Sequence, residues 1–494
     1  MAAGLSAAAI QSFVLKVAGF FTQIVCASFL EKEEFGEVAV GLGIVALFNF
    51  AAALNLNAAC LRRGRAACRW EISACCCALL CGVVCMIVMY ATAPTLVSWF
   101  NGNENALTFI LLGSLTLIPS SLIGVRCAVL KGSYKFGEAA KIASYRSVAV
   151  SIGTVLLAIC GLGSLSFIIP RIAITWVLTL ILFRGRVGEL LNPLPSLILR
   201  MGEILRVGAL SIPGFFSLYI TTQLDKLVVA KSFSLSEAGL YFFAYNLSAQ
   251  AIFVAGQIVR ESIIPVLARE KNSSVQAERF AKIIRTTLVF TSPLLMIQAV
   301  MICPVLDILY GDKWDEAAPL IQILSVAMAV RMGGIASSSL LKIQNRFGLI
   351  SCLNGIYGFL FVGVVAVASQ SQDIQMVTWA VVLFYTIISA FHFFVPICNI
   401  AKNPFSLTLR TFSAVPLALF CFGVSLFAVS TLFGWQTSLS AVMSSVLGLC
   451  LFSLAVFWND SELLNQIRSF AKKLTKDDVS NETSVVFEND DRRN

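Results

Sequence analysis

Histidine occurs once in this sequence of 494 residues, and charge is scarce: 13% of positions are Asp, Glu, Lys or Arg. A soluble globular chain carries about 25%. With half that fraction and 58% hydrophobic positions, the chain has too little polar surface to cover itself in water. Ordinary cytosolic enzymes, disordered chains and nucleic-acid-binding arms are excluded. The lone imidazole, His392, lies in an apolar segment, which removes histidine-based metal sites. A Gly-rich phosphate loop ending in Lys-Ser/Thr is also missing, so no ATPase is encoded. Cysteine is plentiful at 15 residues, but Cys75, Cys76, Cys77, Cys81 and Cys85 sit inside an apolar run. A free thiol there behaves as a small hydrophobe, neither disulfide nor metal ligand. An all-α polytopic membrane protein remains, with no metal, cofactor or catalytic residue expected.

A bilayer-spanning helix needs about 20 mostly apolar residues. Fourteen such segments are expected. The first seven are Ala8–Leu30, Val38–Leu56, Ile72–Tyr90, Leu107–Leu130, Ile142–Leu162, Leu165–Phe183 and Val207–Val229. The second seven are Leu240–Val259, Ile283–Leu306, Pro319–Ile335, Leu349–Ala368, Val377–Ile397, Leu407–Val429 and Leu439–Trp458. The first reads as a retained helix, since Met1–Leu30 has no basic leader followed by a small-residue cleavage site. Of 36 basic residues, nearly all fall at the even-numbered gaps or in the tail, Arg126, Arg146, Arg285 and Arg331 among them. The odd-numbered gaps hold Lys32, Lys231 and Lys313. Lys and Arg concentrate in cytoplasmic loops, so the even gaps and both termini are expected on the cytoplasmic side. In the tail, residues 459–494, Leu463, Leu464, Ile467, Phe470 and Leu474 recur at helical spacing beside Lys472 and Lys473. That pattern predicts an amphipathic helix on the anionic leaflet.

Two short matches point to an internal repeat. Leu130, Lys131, Phe136 and Gly137 align without gaps on Leu341, Lys342, Phe347 and Gly348. Glu34 and Gly36 align on Glu237 and Gly239. Each match maps a helix onto the helix six positions later, and an even shift keeps both halves in one orientation. That is the parallel repeat, related by a pseudo-twofold along the membrane normal. The expected organisation is a six-helix lobe over 1–184, a basic connection over 185–206, a second six-helix lobe over 207–400, and helices 13 and 14 over 401–458.

Ionisable residues within spans are the expensive ones, at about 2.5–3.5 kcal/mol each near mid-bilayer. Lys16 lies mid-way along the first helix and shares a face with Ser12 and Gln23. Arg171 follows Pro170 in the sixth. Asp225 and Lys226, with Gln223 beside them, lie near the outer end of the seventh. Gln250 and Gln257 share a face of the eighth. Together they suggest a polar, net cationic path between the lobes, suited to a phosphate or pyrophosphate. Asp225 is the candidate for ion coupling.

Three segments resemble a known family. Ala27 to Gly36 is similar to its first-loop Ala-Arg-x-Leu-x-Pro-x-x-Phe-Gly pattern. Leu224-Asp225-Lys226-Leu227, then Gly239, Tyr241 and Ala244, resembles its Leu-Asp-Lys-Leu … Gly-x-Tyr-x-x-Ala stretch. Gly311 and Trp314, then Ala317, Pro319, Leu320, Ile323 and Leu324, resemble its Gly-x-x-Trp … Ala-x-Pro-Leu-x-x-Ile-Leu segment. These look like the Wzx-type polysaccharide transporter family of the multidrug/oligosaccharidyl-lipid/polysaccharide (MOP) exporter superfamily. The resemblance implies alternating-access flipping of undecaprenyl-pyrophosphate-linked oligosaccharides across a bacterial inner membrane. It implies as partners a lipid-linked oligosaccharide, a polysaccharide polymerase and chain-length or export proteins. The sequence departs at Ser28, where the family often has Arg, and at Asn55 and Asn57, often Gly. The alternative is a cation-coupled small-molecule antiporter on the same scaffold. A membrane-embedded glycan polymerase is disfavoured by the short outer loops.

Overall fold

The computed structural model describes residues 2–54, 56–184, 197–267, 270, 272–335, 337–433 and 438–459, and among these every regular element is helical. The tail reading beyond 459 and most of the basic connection lie outside the described residues. In order, the helices are α1 Ala2–Phe29, α2 Lys32–Ala53, α3 Leu56–Arg62, α4 Glu71–Trp99, α5 Glu104–Ser114 and α6 Leu117–Gly132. Then come α7 Phe136–Ile159, α8 Ile169–Phe183, α9 Leu197–Ser232, α10 Leu235–Leu267, α11 Ser273–Tyr310 and α12 Ala317–Ile335. The last six are α13 Ser337–Ile343, α14 Phe347–Ala368, α15 Ile374–Ile397, α16 Pro404–Phe412, α17 Ala414–Phe433 and α18 Ser438–Asn459.

Among the described residues 10 helices are long and apolar enough to cross a membrane, or 11 with α5 and α6 taken as one span bent by 43°. The other expected spans, first, seventh and eighth, fall on α1, α9 and α10. The fifth and sixth spans are separate, because Gly161 and Gly163 take positive φ between α7 and α8.

The repeat is visible in backbone detail. Tyr134 (φ 61°) ends α6 and Asn345 (φ 58°) ends α13, and these positions coincide in the aligned segments. Lys135 N donates to Leu130 O at 2.9 Å and Arg346 N to Leu341 O at 3.0 Å. Tyr134 N reaches Lys131 O and Asn345 N reaches Lys342 O, both at 3.1 Å. Both are Schellman ends, which satisfy the last carbonyls of a helix. The second match is a pair of helix starts. Glu34 accepts from Glu31 N at 2.8 Å in a capping box, and Glu237 from Ser234 N at 3.0 Å. Packing repeats too: α1 lies on α7 as α9 lies on α14, and α4 on α6 as α11 on α12.

The two halves meet at both ends of the bundle. At the odd-gap end α2 crosses α10 backbone on backbone: a Cβ on Gly36 would collide with the Leu235 carbonyl, and one on Gly239 with the Lys32 carbonyl. Phe35, fully buried beside this crossing, meets Phe243 at 5.8 Å and Trp314 at 5.2 Å edge-on. Trp314 Nε1 donates to Ala27 O and Tyr310 OH to Ile24 O, each at 2.9 Å. Ion pairs Lys32–Glu316 (2.8 Å) and Lys313–Glu31 (3.1 Å) rim the contact. Their carboxylates are exposed, so each pair contributes about 0–1 kcal/mol. The aromatic core contributes more, since each buried ring removes 150–250 Å² from solvent. At the even-gap end Arg63 pairs with Glu203 of α9 at 2.6 Å and lies 3.8 Å from the Trp70 ring centroid. Arg200 reaches the same ring and donates to Arg69 O at 2.8 Å.

Candidate functional site

A concavity of about 980 Å³ opens within the first group of helices. Its walls come from α1, α2, α3, α6, α7 and α8, closed on one side by Phe242 and Asn246 of α10. Arg171 sits here because Pro170 starts α8 and places the next residue in its first turn, where Thr175 Oγ1 donates to the Arg171 carbonyl. Arg146 lines the same cavity from α7, followed by Ser147, Ser151 and Thr154 on one face. Asn49 and Asn57 face the space from α2 and α3. Among the described residues no Asp or Glu lines it. Two guanidinium groups and a set of neutral amides and hydroxyls thus share one cavity. Such a lining can offer hydrogen bonds to an anion and to hydroxyl groups.

Of the residues expected from sequence, Gln23 and Arg171 come together here. Gln23 is buried, and its Nε2 donates to Phe243 O at 3.1 Å, tying α1 to α10. The side chains of Ser12, Lys16 and Gln257 lie outside the described residues. Gln250 lines a separate apolar groove of about 430 Å³ with Phe20, Phe21 and Ile24, and its Oε1 is buried without a hydrogen-bond partner.

Gln223, Asp225 and Lys226 belong to a second polar centre behind Phe242. Lys226 Nζ reaches Gln223 Oε1 at 3.4 Å and lies 5.4 Å from the Phe242 ring and 5.0 Å from that of Tyr245. Asp225 is fully buried and accepts from Tyr241 OH at 3.4 Å. Arg331 of α12 donates to Tyr245 OH at 2.6 Å and stacks 4.6 Å from the Tyr385 centroid. Among the described residues Asp225 feels the positive charge of both Lys226 and Arg331. Among the described residues no group of three or more His, Cys, Asp or Glu could hold a metal ion.

Sequence reasoning passed over Arg146 and Arg331, assigning both to the basic even gaps. Arg146 stands ten residues into α7, about 15 Å from its start at 1.5 Å per residue. The hydroxyl stripe behind it was the available signal. Asn57, noted as a departure from the family pattern, packs its amide directly against Gly124 in the cavity wall. The expected path between lobes is thus, in the main cavity, walled chiefly by the first half.

Comparison with known proteins places this geometry. A family model described as "Polysaccharide biosynthesis protein" matches residues 25–319. Lipopolysaccharide biosynthesis protein WzxC of Escherichia coli (strain K12) is 25% identical over 195 residues, 39% of this chain and 40% of that protein. Teichuronic acid biosynthesis protein TuaB of Bacillus subtilis (strain 168) is 21% identical over 328 residues, 64% of this chain and 65% of that protein. The chain therefore spans less than two thirds of the length of either relative. Among solved structures, the lipid II flippase MurJ in an inward closed conformation superposes with a TM-score of 0.73 at 14% identity, covering 92% of this chain and 99% of that one. An inward-facing multidrug resistance MATE transporter of the MOP superfamily gives 0.60 at 14% identity, covering 79% and 98%. At such identities the likeness establishes a shared fold.

Proposed function

The chain belongs to the polysaccharide biosynthesis protein family, and from that premise we propose that it flips a lipid-linked oligosaccharide across a bacterial inner membrane, with Arg146 and Arg171 holding the phosphate end. The observation that carries this reading is a cavity of about 980 Å³ whose described lining holds Arg146 and Arg171 and no carboxylate. Taking a cation out of water costs several kcal/mol unless an anion compensates it. Two sharing one space call for a dianionic group, and Arg binds phosphate oxygens in bidentate fashion. Asn49, Asn57, Ser147 and Ser151 offer donors and acceptors to sugar hydroxyls. The related proteins are named for lipopolysaccharide and teichuronic acid biosynthesis. That supports an undecaprenyl-pyrophosphate-linked repeat unit for exopolysaccharide, O-antigen or capsule as cargo.

In this reading the basic even-gap face and both termini are cytoplasmic. The odd-gap contact around Trp314 and the even-gap contact around Trp70 open in turn. The cargo is moved without chemical change, and polymerisation belongs to partner proteins. A cationic drug would meet Arg146 and Arg171, so small-molecule exchange is not our reading. We assign coupling at Asp225 to a proton. A metal cation would have to approach a carboxylate that already faces Lys226 and Arg331, whereas a proton adds without displacing them.

Conditional depletion tests the function: lipid-linked oligosaccharide should accumulate in the inner leaflet, and an unchanged pool would defeat the proposal. Asp225→Asn in reconstituted vesicles should abolish acceleration by a pH gradient while leaving residual flipping. Acceleration retained in that variant, or produced by a sodium gradient at constant pH, would reject proton coupling.

A further inference from the structure

A second concavity, of about 340 Å³, lies at the even-gap end and shares no lining residue with the first. Its apolar wall includes Ile72 of α4, Val129 and Leu130 of α6, and Phe183 at the end of α8. Its polar wall holds Arg126, Ser133 and Lys135. Glu71 takes Arg126 Nη1 at 2.7 Å, which neutralises one cation, but Arg126 Nε is buried with no hydrogen-bond partner. A buried donor left unmatched costs about 1–3 kcal/mol, so the pocket calls for an acceptor at that point. Ser133 Oγ stands 3.2 Å from Cys68 Sγ beside it. Lys135, at the rim, pairs with Glu138 at 3.3 Å, and both are more than half exposed. Such a surface pair is worth about 0–1 kcal/mol, and a better-placed anion displaces it.

We propose that this pocket binds the phosphate ester of an anionic phospholipid from the adjoining leaflet. The Arg126 guanidinium, Ser133 Oγ and Lys135 Nζ meet the phosphate oxygens, and Ile72, Leu130 and Phe183 take the glycerol and first methylenes. A basic pocket between membrane helices on the positive face is a recurrent form of phospholipid headgroup site. The apolar half of the wall favours a lipid over free phosphate, which has no use for it. The segment that contributes Cys68 also carries Trp70, the ring on which Arg63 and Arg200 converge. The bound headgroup therefore borders the contact between the halves.

The test is native mass spectrometry of the delipidated full chain, titrated with phosphatidylglycerol and with phosphatidylcholine. Phosphatidylglycerol should bind at least about tenfold more tightly. Lys135→Ala should weaken it at least about fivefold. The double variant Glu71→Gln/Arg126→Gln, which leaves no uncompensated buried charge, should erase the preference between the two lipids. Lys141→Ala, exposed and outside the pocket, should change nothing. Equal binding of both lipids would overturn the proposal in favour of apolar contact without headgroup selection, and an equal loss from Lys141→Ala and Lys135→Ala in favour of diffuse surface attraction. Displacement of the lipid by inorganic phosphate at about 10 mM would overturn it in favour of a free-phosphate site. Should the double variant not fold, the two lysine variants decide alone.

Discussion

Arg146 and Arg171 reach one cavity from different helices, and a charge-assisted hydrogen bond to phosphate is worth about 1.5–3 kcal/mol. Arg146→Ala and Arg171→Ala should each reduce transport by roughly tenfold to a hundredfold while the protein still inserts. Lysine at either place should restore part of the loss, because it keeps the charge but not the fork. Accumulated lipid-linked oligosaccharide, set against membrane-inserted protein, measures both; full export from either alanine variant would refute a clamp. Arg171 was legible because it interrupts an apolar run far from a basic gap. Arg146 was not, because a cation two to three turns from a basic gap looks in one dimension like part of that gap. Lys226 and Asp225 were legible as costly residues. Their grouping with Arg331 and Tyr385 was hidden, since it joins four helices distant in sequence.

At the scale of elements, the start of α2 and the start of α10 are the same structure twice. Each begins with a Glu returning to its own cap, and each presents a glycine to the other. The repeat was readable from those residues. That Gly36 and Gly239 sit against each other was not, because a glycine carries no mark of what approaches it. Gly36→Ala or Gly239→Ala puts a methyl group where a backbone carbonyl stands. Each should separate the odd-gap end rather than unfold the chain. Spin labels at Lys32 and Glu316, paired at 2.8 Å in the present contact, should report a longer mean distance in both variants, and an unchanged distance would refute the crossing as a contact that governs opening. The Schellman ends permit a milder test. Tyr134 holds a left-handed conformation that Asn345 holds at the matching place, and asparagine visits it more readily. Tyr134→Asn should raise thermal stability in detergent by about 0.5–1 kcal/mol, read as a higher Tm.

For the molecule as a whole, scarcity of charge gave away the membrane, and the distribution of the few charges suggested the sides. The spans were legible because a bilayer demands a fixed length of apolar helix. Contact between the halves at both ends was not, since it joins residues far apart in sequence, Trp314 to Ala27 and Arg63 to Glu203. The sidedness can be checked with single-cysteine versions of the chain. Cys160, exposed between the fifth and sixth spans, should react with an impermeant maleimide in intact cells. Cys68, exposed at the opposite end, should react only after permeabilisation. Cys60 is a control: burial pushes its thiol up to about 11, so it stays protonated and unreactive at pH 7–8 on either side. The reverse pattern for Cys160 and Cys68 would invert the topology.

The main cavity draws nearly all of its wall from the first of two duplicated halves. The descendants of that duplication have therefore divided their labour. In the proposed reading one copy became a vessel whose lining answers to the cargo, while the other keeps the Asp225 centre and the fit against its sister. A change of cargo can then accumulate in the first copy alone. The second is held to a different standard, the continued match of its surface to a partner encoded in the same chain.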